Sequence, residues 1–212
     1  MDAPQFDEEF RRRFAALLEW RRDVRRFRTE PLPEGLLERL LALACRAPSV
    51  GLSQPWRFVI VEDEARRAAI RDEFARCNAD ALASYEGERA KLYATLKLAG
   101  LDEAPVHLAV FADPEPAQGH GLGRRTMPET VAYSAVTAIH TLWLAARAEG
   151  LGLGWVSILA PARIAEILAV PAGWIFVAYL CLGYPQGEDS VPRLERDGWE
   201  RRRPPAAFIL RR

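Results

Sequence analysis

Between Glu129 and Arg147 the chain runs for seventeen residues, Thr130 to Ala146, without one Asp, Glu, Lys or Arg. The stretch approaches the length of a membrane span. Ser134, Thr137, His140 and Thr141 interrupt it, however, and charges bound it on both sides, so it reads as a buried helix. A chain of 212 residues, half of them apolar, is one domain by size. In so small a domain a helix this apolar needs cover on every side, and a second copy of the chain can supply part of that cover. The expectation is a homodimer built around a long central helix.

The remaining pattern alternates helix and strand. Apolar periodicity predicts helices over Asp7–Trp20, Glu34–Arg46, Asp63–Cys77, Glu129–Glu149 and Pro161–Leu168. Strands are predicted at Arg57–Val61, His107–Asp113, Trp155–Ile158 and Trp174–Leu182. Arg21–Pro33 reads as an extended linker, and Asn78–Ala104 as a long excursion suited to a lid. Tyr184–Arg212 forms a C-terminal extension. The fold class is α/β in the broad sense (α+β), a small central sheet flanked by helices. The whole of 1–212 reads as a single domain.

Composition removes several functions. Lys+Arg and Asp+Glu are both 29, so the basic excess of a nucleic-acid binder is missing. Only Lys91 and Lys97 are lysines, leaving 27 arginines; the skew suits phosphate recognition, but codon bias is the better default reading. Cys45, Cys77 and Cys181 are odd in number and lack CxxC spacing, and His107, His120 and His140 are far apart. A disulfide framework and a metal site are therefore not expected. Met1–Phe10 carries acids and no signal-like apolar run. The expected setting is the cytoplasm, without membrane contact.

Glycine runs mislead here. GLGLG at 150–154 precedes a strand-like segment instead of opening a helix, so it is no dinucleotide loop. Gly119, Gly121 and Gly123 lack the Lys-Ser/Thr of a phosphate loop. Both runs are read as turns.

Three constellations remain. Arg21-Arg22-Asp23-Val24-Arg25 can grip a phosphate, although on the residues alone a solvated helix end with surface ion pairs is the favoured reading. Ala47 to Trp56 packs Ser49, Ser53, Gln54 and two prolines into a loop that can face a heteroaromatic ring. Ser157 closes a probable strand where a pocket could open, although a lone serine also serves local backbone. It has no base nearby in sequence, so nothing marks it as a nucleophile.

Taken together, these stretches resemble the nitroreductase-like flavoproteins, and within them the flavin destructases that make 5,6-dimethylbenzimidazole. The resemblance rests on RRDVR at 21–25, APSVG at 47–51, QPW at 54–56 and GER at 87–89. It continues through LYATLKLAG at 92–100, LGRRTMPET at 122–130, LWLAARAEGLGLGWVSI at 142–158 and AYLCLGY at 178–184. It implies a homodimer with flavin mononucleotide (FMN) at the subunit interface. It further implies that reduced FMN is a substrate, broken by dioxygen into 5,6-dimethylbenzimidazole and erythrose 4-phosphate. NAD(P)H would enter only through a separate flavin reductase.

By the same resemblance the essential acid and serine fall on Asp23 and Ser157. Phosphate contacts fall on Arg21, Arg22 and Arg25, ring contacts on Ser49 and Gln54, and a C-terminal basic contact on Arg202. The chain departs from the family at Ser53, often Met, and at Val131-Ala132, commonly Asp-Leu. A base among arginines has its pKa depressed by them and raised by burial, so Asp23 is expected to turn from its flanking guanidiniums toward the ring. Other functions open to this fold are an NAD(P)H-dependent FMN reductase or nitroreductase, and a non-catalytic flavin carrier.

Overall fold

The computed structural model describes residues 3–96 and 99–212. Its centre is a four-stranded antiparallel sheet of β1 (Trp56–Ile60), β2 (Val106–Ala112), β3 (Gly152–Val156) and β4 (Ile175–Gly183), in the order β1-β2-β4-β3. Chain order and sheet order differ because β3 sits outside β4. This places β1 and β3 on opposite edges, about 14 Å apart at the usual strand spacing.

Helices cover both faces. On one lie α2 (Leu36–Ala44) and α6 (Thr130–Ala148), packed on Leu108, Val110, Ala178 and Leu180. On the other lie α3 (Glu64–Ala83), α5 (Gly100–Glu103) and α7 (Pro161–Leu168), over Ala109, Phe111, Tyr179 and Cys181. The alternate residues of β2 and β4 thus feed two cores, which explains their near-continuous apolar sequence. Among the described residues no helix is long and apolar enough to cross a membrane.

Local chemistry sets the boundaries. Asp7 and Asp63 cap their helices, accepting the N–H of Phe10 at 2.8 Å and of Arg66 at 2.9 Å. Pro161 opens α7, where a missing N–H does no harm. α3 runs six residues past the expected end at Cys77, to Ala83, so the excursion begins as helix. It returns as α4 (Gly87–Thr95), pinned by the Tyr93 hydroxyl donating to Asn78 Oδ1 at 2.9 Å. Lys97 and Leu98, in the middle of the 92–100 motif, lie outside the described residues.

α1 (Glu8–Trp20) has the expected apolar stripe, but none of its residues is buried. Phe10 stacks on Phe6 and Phe14 along the exposed surface. α6 buries Val131, Ala135, Ala138, Ile139 and Leu142, yet leaves Tyr133 and Val136 exposed on its outer face. The small C-terminal elements are α8 (Arg193–Arg196) and a 3-10 turn at Pro205–Phe208.

The glycine run before Ser157 is not a turn throughout. Gly150, at φ +74°, ends α6, but Gly152 and Gly154 lie inside β3. A Cβ on Gly154 would stand 2.2 Å from the Val24 carbonyl oxygen, and one on Gly152 2.5 Å from Val24 Cγ2. The two glycines let the segment after α1 lie against the strand. Gly154→Ala should therefore lower stability by about 3 kcal/mol through overpacking. Gly187→Ala, where nothing lies within 4 Å, should change it by less than about 0.5 kcal/mol; urea unfolding of both variants measures the contrast.

His107 is buried across the sheet from the α2/α6 core, its Nδ1 2.8 Å from the Tyr179 hydroxyl. Burial, then the charge of Arg67, push its pKa down from 6.5 to about 4. Between those values the unfolded chain binds a proton that the folded chain refuses. Stability should fall by roughly 3 kcal/mol as pH drops from 6.5 to 4, with no further loss from this group below 4. Denaturant midpoints across that range should show the slope, and His107→Gln should remove it.

Candidate functional site

The segment from Arg21 to Arg28 is extended and held on both sides. The Val24 N–H donates to the Leu153 carbonyl at 3.0 Å, and Asp23 bridges Leu153 in parallel fashion. Further along, the Arg28 N–H donates to the Tyr184 carbonyl at 2.8 Å, and the Gln186 N–H to the Arg26 carbonyl at 3.1 Å. Glu103 accepts from the Phe27 N–H at 2.9 Å and pairs with Arg26 at 2.9 Å. Phe27 itself is fully buried where Gly100, Gly154 and Gly183 leave room for its ring. The expected linker is thus fixed from Asp23 to Arg28.

This placement aims Asp23. Its Oδ1 accepts the Trp155 N–H at 2.9 Å, extending the β3 edge with a side chain where backbone would otherwise pair. Its Oδ2 lies 3.5 Å from Arg25 Nε. The carboxylate therefore does not turn away from its flanking guanidiniums, as the sequence suggested. The strand edge offers an N–H there, and a backbone donor outcompetes a free orientation. Crowding by protein raises the Asp23 pKa, while Trp155, Arg25 and Arg21 oppose it. Even so, 38% of the side chain stays open to a bound molecule.

The arginines divide. Arg22 donates from Nη1 to the Arg21 carbonyl at 2.6 Å, from Nε to the Asp189 carbonyl at 3.2 Å, and from Nη2 to the Ser190 carbonyl. Two of its three nitrogens, Nε and Nη2, thus tie the segment to the C-terminal extension, and the third closes back on the segment itself. Arg21 lies over the Trp143 ring, 5.0 Å from its centroid, and its buried Nε has no hydrogen-bond partner. Burial and the nearby charge of Arg202 lower its pKa. Arg202 reaches the site from far along the chain. A cavity of about 130 Å³ is lined by Arg21, Arg22, Asp23, Arg25, Arg193 and Arg202. Five arginines and one aspartate thus line this cavity.

Arg193 had no sequence signal, because only the fold brings α8 to this cavity. Trp155 was missed as well, since it contributes through its backbone. Gly152 and Gly154 did carry a signal: glycines two apart share one face of a strand, the mark of a close backbone approach.

Ser157 is exposed, immediately beyond β3. It follows Trp155 by two residues, about 7 Å along an extended chain, and so shares the Asp23 end of the strand. Ser49 and Gln54 are elsewhere, on the loop before β1 at the other sheet edge. That loop is anchored to α6: the Val50 N–H donates to Ser134 Oγ at 3.0 Å, and Thr137 Oγ1 to the Pro48 carbonyl at 2.8 Å. Ser49 Oγ accepts the Gln54 N–H at 3.1 Å, and Gln118 donates to Gln54 Oε1 at 3.0 Å. Gly51, Leu52 and Gln54 all have positive φ, of 57°, 54° and 45°. For the two non-glycines this stores backbone strain of order 1–3 kcal/mol each. Ser53 is buried against Gly119, with no partner for its hydroxyl.

The residues present fit a phosphorylated flavin. Arg21, whose buried Nε has no hydrogen-bond partner, lines an arginine-rich cavity, and the part-exposed carboxylate of Asp23 lines it too. Inorganic phosphate at ten times its Kd should stabilise the protein by about 1.4 kcal/mol. In Arg202→Ala that stabilisation should shrink at the same phosphate concentration; thermal unfolding with and without phosphate checks it.

Residues 18–184 match the model of the Nitroreductase family. The chain is 61% identical over 201 residues to a 5,6-dimethylbenzimidazole synthase of Rhodospirillum rubrum, covering 95% of each. It is 49% identical over 199 residues to a 5,6-dimethylbenzimidazole synthase of Rhodobacter capsulatus, covering 94% of this chain and 96% of the relative. Among solved structures, it superposes with a TM-score of 0.69 on oxidised iodotyrosine deiodinase bound to FMN and 3-iodo-L-tyrosine. That pair is 27% identical, over 82% of this chain and 91% of the other.

Proposed function

This chain belongs to the nitroreductase family, and from that premise we propose that it fragments reduced FMN with dioxygen to 5,6-dimethylbenzimidazole and erythrose 4-phosphate. The identity to two 5,6-dimethylbenzimidazole synthases along nearly the whole chain supports the reading. The observation that carries it is Asp23, a carboxylate of raised pKa set among arginines and accepting the Trp155 N–H. A carboxylate weakens a pocket for an anion. A protein that only stored FMN would bind it better without Asp23, whereas a reaction that removes protons needs a base there.

Bound reduced FMN supplies electrons to dioxygen and its own carbons to the products. Arg21, Arg25 and Arg202 hold the phosphate, while Arg22 fixes the segment that carries Arg21 and Arg25 to the C-terminal extension that carries Arg202. Asp23 takes a proton at Oδ2, since Oδ1 is engaged by Trp155; the long 3.5 Å separation from Arg25 leaves Oδ2 available. Ser157 offers a hydroxyl from the end of β3 and acts as a hydrogen-bond partner to the ring region.

The ring contacts need a second copy of the chain. Ser49 and Gln54 lie on the opposite sheet edge from Asp23, with two strands between. Their loop is bound to the α6 face that leaves Tyr133 and Val136 exposed. Packing that face against another copy carries the loop of one subunit to the arginine pocket of the other and covers the apolar stripe of α1. The active unit is thus a homodimer in the cytoplasm, with two sites and a separate flavin reductase supplying reduced FMN.

When reduced FMN is mixed with the protein in air, flavin absorbance should be lost irreversibly and chromatography should show 5,6-dimethylbenzimidazole. Full recovery of FMN would favour a carrier, and sustained NAD(P)H oxidation with intact flavin a reductase. Asp23→Asn should slow product formation by about 10²–10⁴-fold while FMN binds at least as tightly. Product at the wild-type rate in that variant would remove Asp23 from the mechanism.

A further inference from the structure

The C-terminal extension touches two places that the chain otherwise keeps apart. Trp199 meets Tyr85, between α3 and α4, edge-on with ring centroids 5.6 Å apart, and Tyr93 of α4 at 6.2 Å. The Arg89 guanidinium lies over the Trp199 ring at 5.3 Å, and Tyr85 stacks on Tyr93 at 4.9 Å. Three residues later, Arg202 lines the arginine cavity. The Trp199 N–H donates at 2.9 Å to the carbonyl of Leu194, whose side chain lines that cavity too. One short stretch, Arg193 to Arg202, therefore forms a wall of the anion pocket and carries the ring that α4 rests on.

We propose that Trp199 is a positioning residue that couples α4 to the phosphate pocket: an anion between Arg21 and Arg202 draws the extension inward, and Trp199 thereby fixes α4. The inference rests on the reading of that cavity as the seat of the FMN phosphate. The physical reason is the sign of the charges. Without an anion, Arg202 and Arg21 repel, and the charge of Arg202 is among the influences that lower the Arg21 pKa. A bound phosphate turns the repulsion into shared attraction to one centre. Aromatic pairs and an exposed cation–π contact each shift an equilibrium by only about two- to tenfold. A cluster of three or four such contacts is weak enough for a ligand to tip.

The consequence is specificity by closure. A flavin lacking phosphate can reach Asp23 but leaves Arg202 unattracted and α4 loose. Trp199→Ala should then lower kcat for flavin fragmentation with little change in KM, and Trp199→Phe, which keeps an aromatic face, should restore most of it.

Hydrogen exchange of the α4 amides, measured by mass spectrometry on the full chain, tests the coupling without turnover. Oxidised FMN and inorganic phosphate should each slow exchange in Gly87–Thr95 by about tenfold, and riboflavin should not. In Trp199→Ala the slowing should vanish while the Kd for FMN changes less than about threefold. Equal slowing in Trp199→Ala, or slowing by riboflavin as strong as by FMN, would overturn the coupling. Failure of FMN to bind, with the phosphate response intact, would count against the flavin reading and leave the coupling supported.

Discussion

The site depends on how closely one extended segment can approach the edge of the sheet. Val24 lies where any side chain on Gly152 or Gly154 would stand. Because those positions are glycines, the Val24 N–H reaches the Leu153 carbonyl and the Asp23 carboxylate reaches the Trp155 N–H. The same closeness surrounds Asp23 with protein and raises its pKa. Two missing methyl groups thus set the position and basicity of the one acid in the arginine cavity. Phe27, anchored among Gly100, Gly154 and Gly183, makes the attachment permanent by burying a whole ring three residues after Val24.

Sheet order bears as directly on the proposed homodimer. With β1 and β3 on opposite edges, no small rearrangement within one chain brings the Ser49–Gln54 loop to Asp23. α6 lies behind both, bonded to the loop through Ser134 and Thr137, and to the arginine segment through Trp143 Nε1, which donates to the Arg22 carbonyl at 3.0 Å. Its sequence, charge-free from Thr130 to Ala146, follows from that position. One face serves the core, and the other carries Tyr133 and Val136 at the surface, next to the Ser49–Gln54 loop.

Much of this was legible in the residues. The strong periodicities of α6 and α7, and the unbroken apolar runs of β2 and β4, located those elements within a residue or two, because burial on two faces leaves little sequence freedom. α3 was cut short because Asn78 to Ala83 is half alanine, with Leu82 its one large apolar residue, and gives no apolar stripe; helix propensity and the return packing of Tyr93 carry it on. The RRDVR, QPW and GWVS stretches were singled out by their chemistry. Their division between two sheet edges was not visible, since it is a property of strand order. Arg22 illustrates the other limit. As a residue type it suits phosphate, but only the placement of Asp189 and Ser190 turns it into a tie to the backbone.

The arginine excess over lysine, ambiguous as composition, separates into two populations in space. Arg12 and Arg163 pair with acids one helical turn away, and such exposed pairs contribute little to stability. Arg147 and Arg196 fasten the extension through Glu188 and Asp189. Among the described residues Arg21 and Arg202 form no ion pair within 4 Å, although Arg21 is half-buried and has an unpartnered Nε. Charge left uncompensated in a partly desolvated place is destabilising unless something else neutralises it. The acids that could have done so are committed to the neighbouring arginines, and Asp23 is held by Trp155. The proposed function addresses that imbalance: a phosphate ester would bring multivalent negative charge to Arg21 and Arg202, beside the carboxylate proposed as the base.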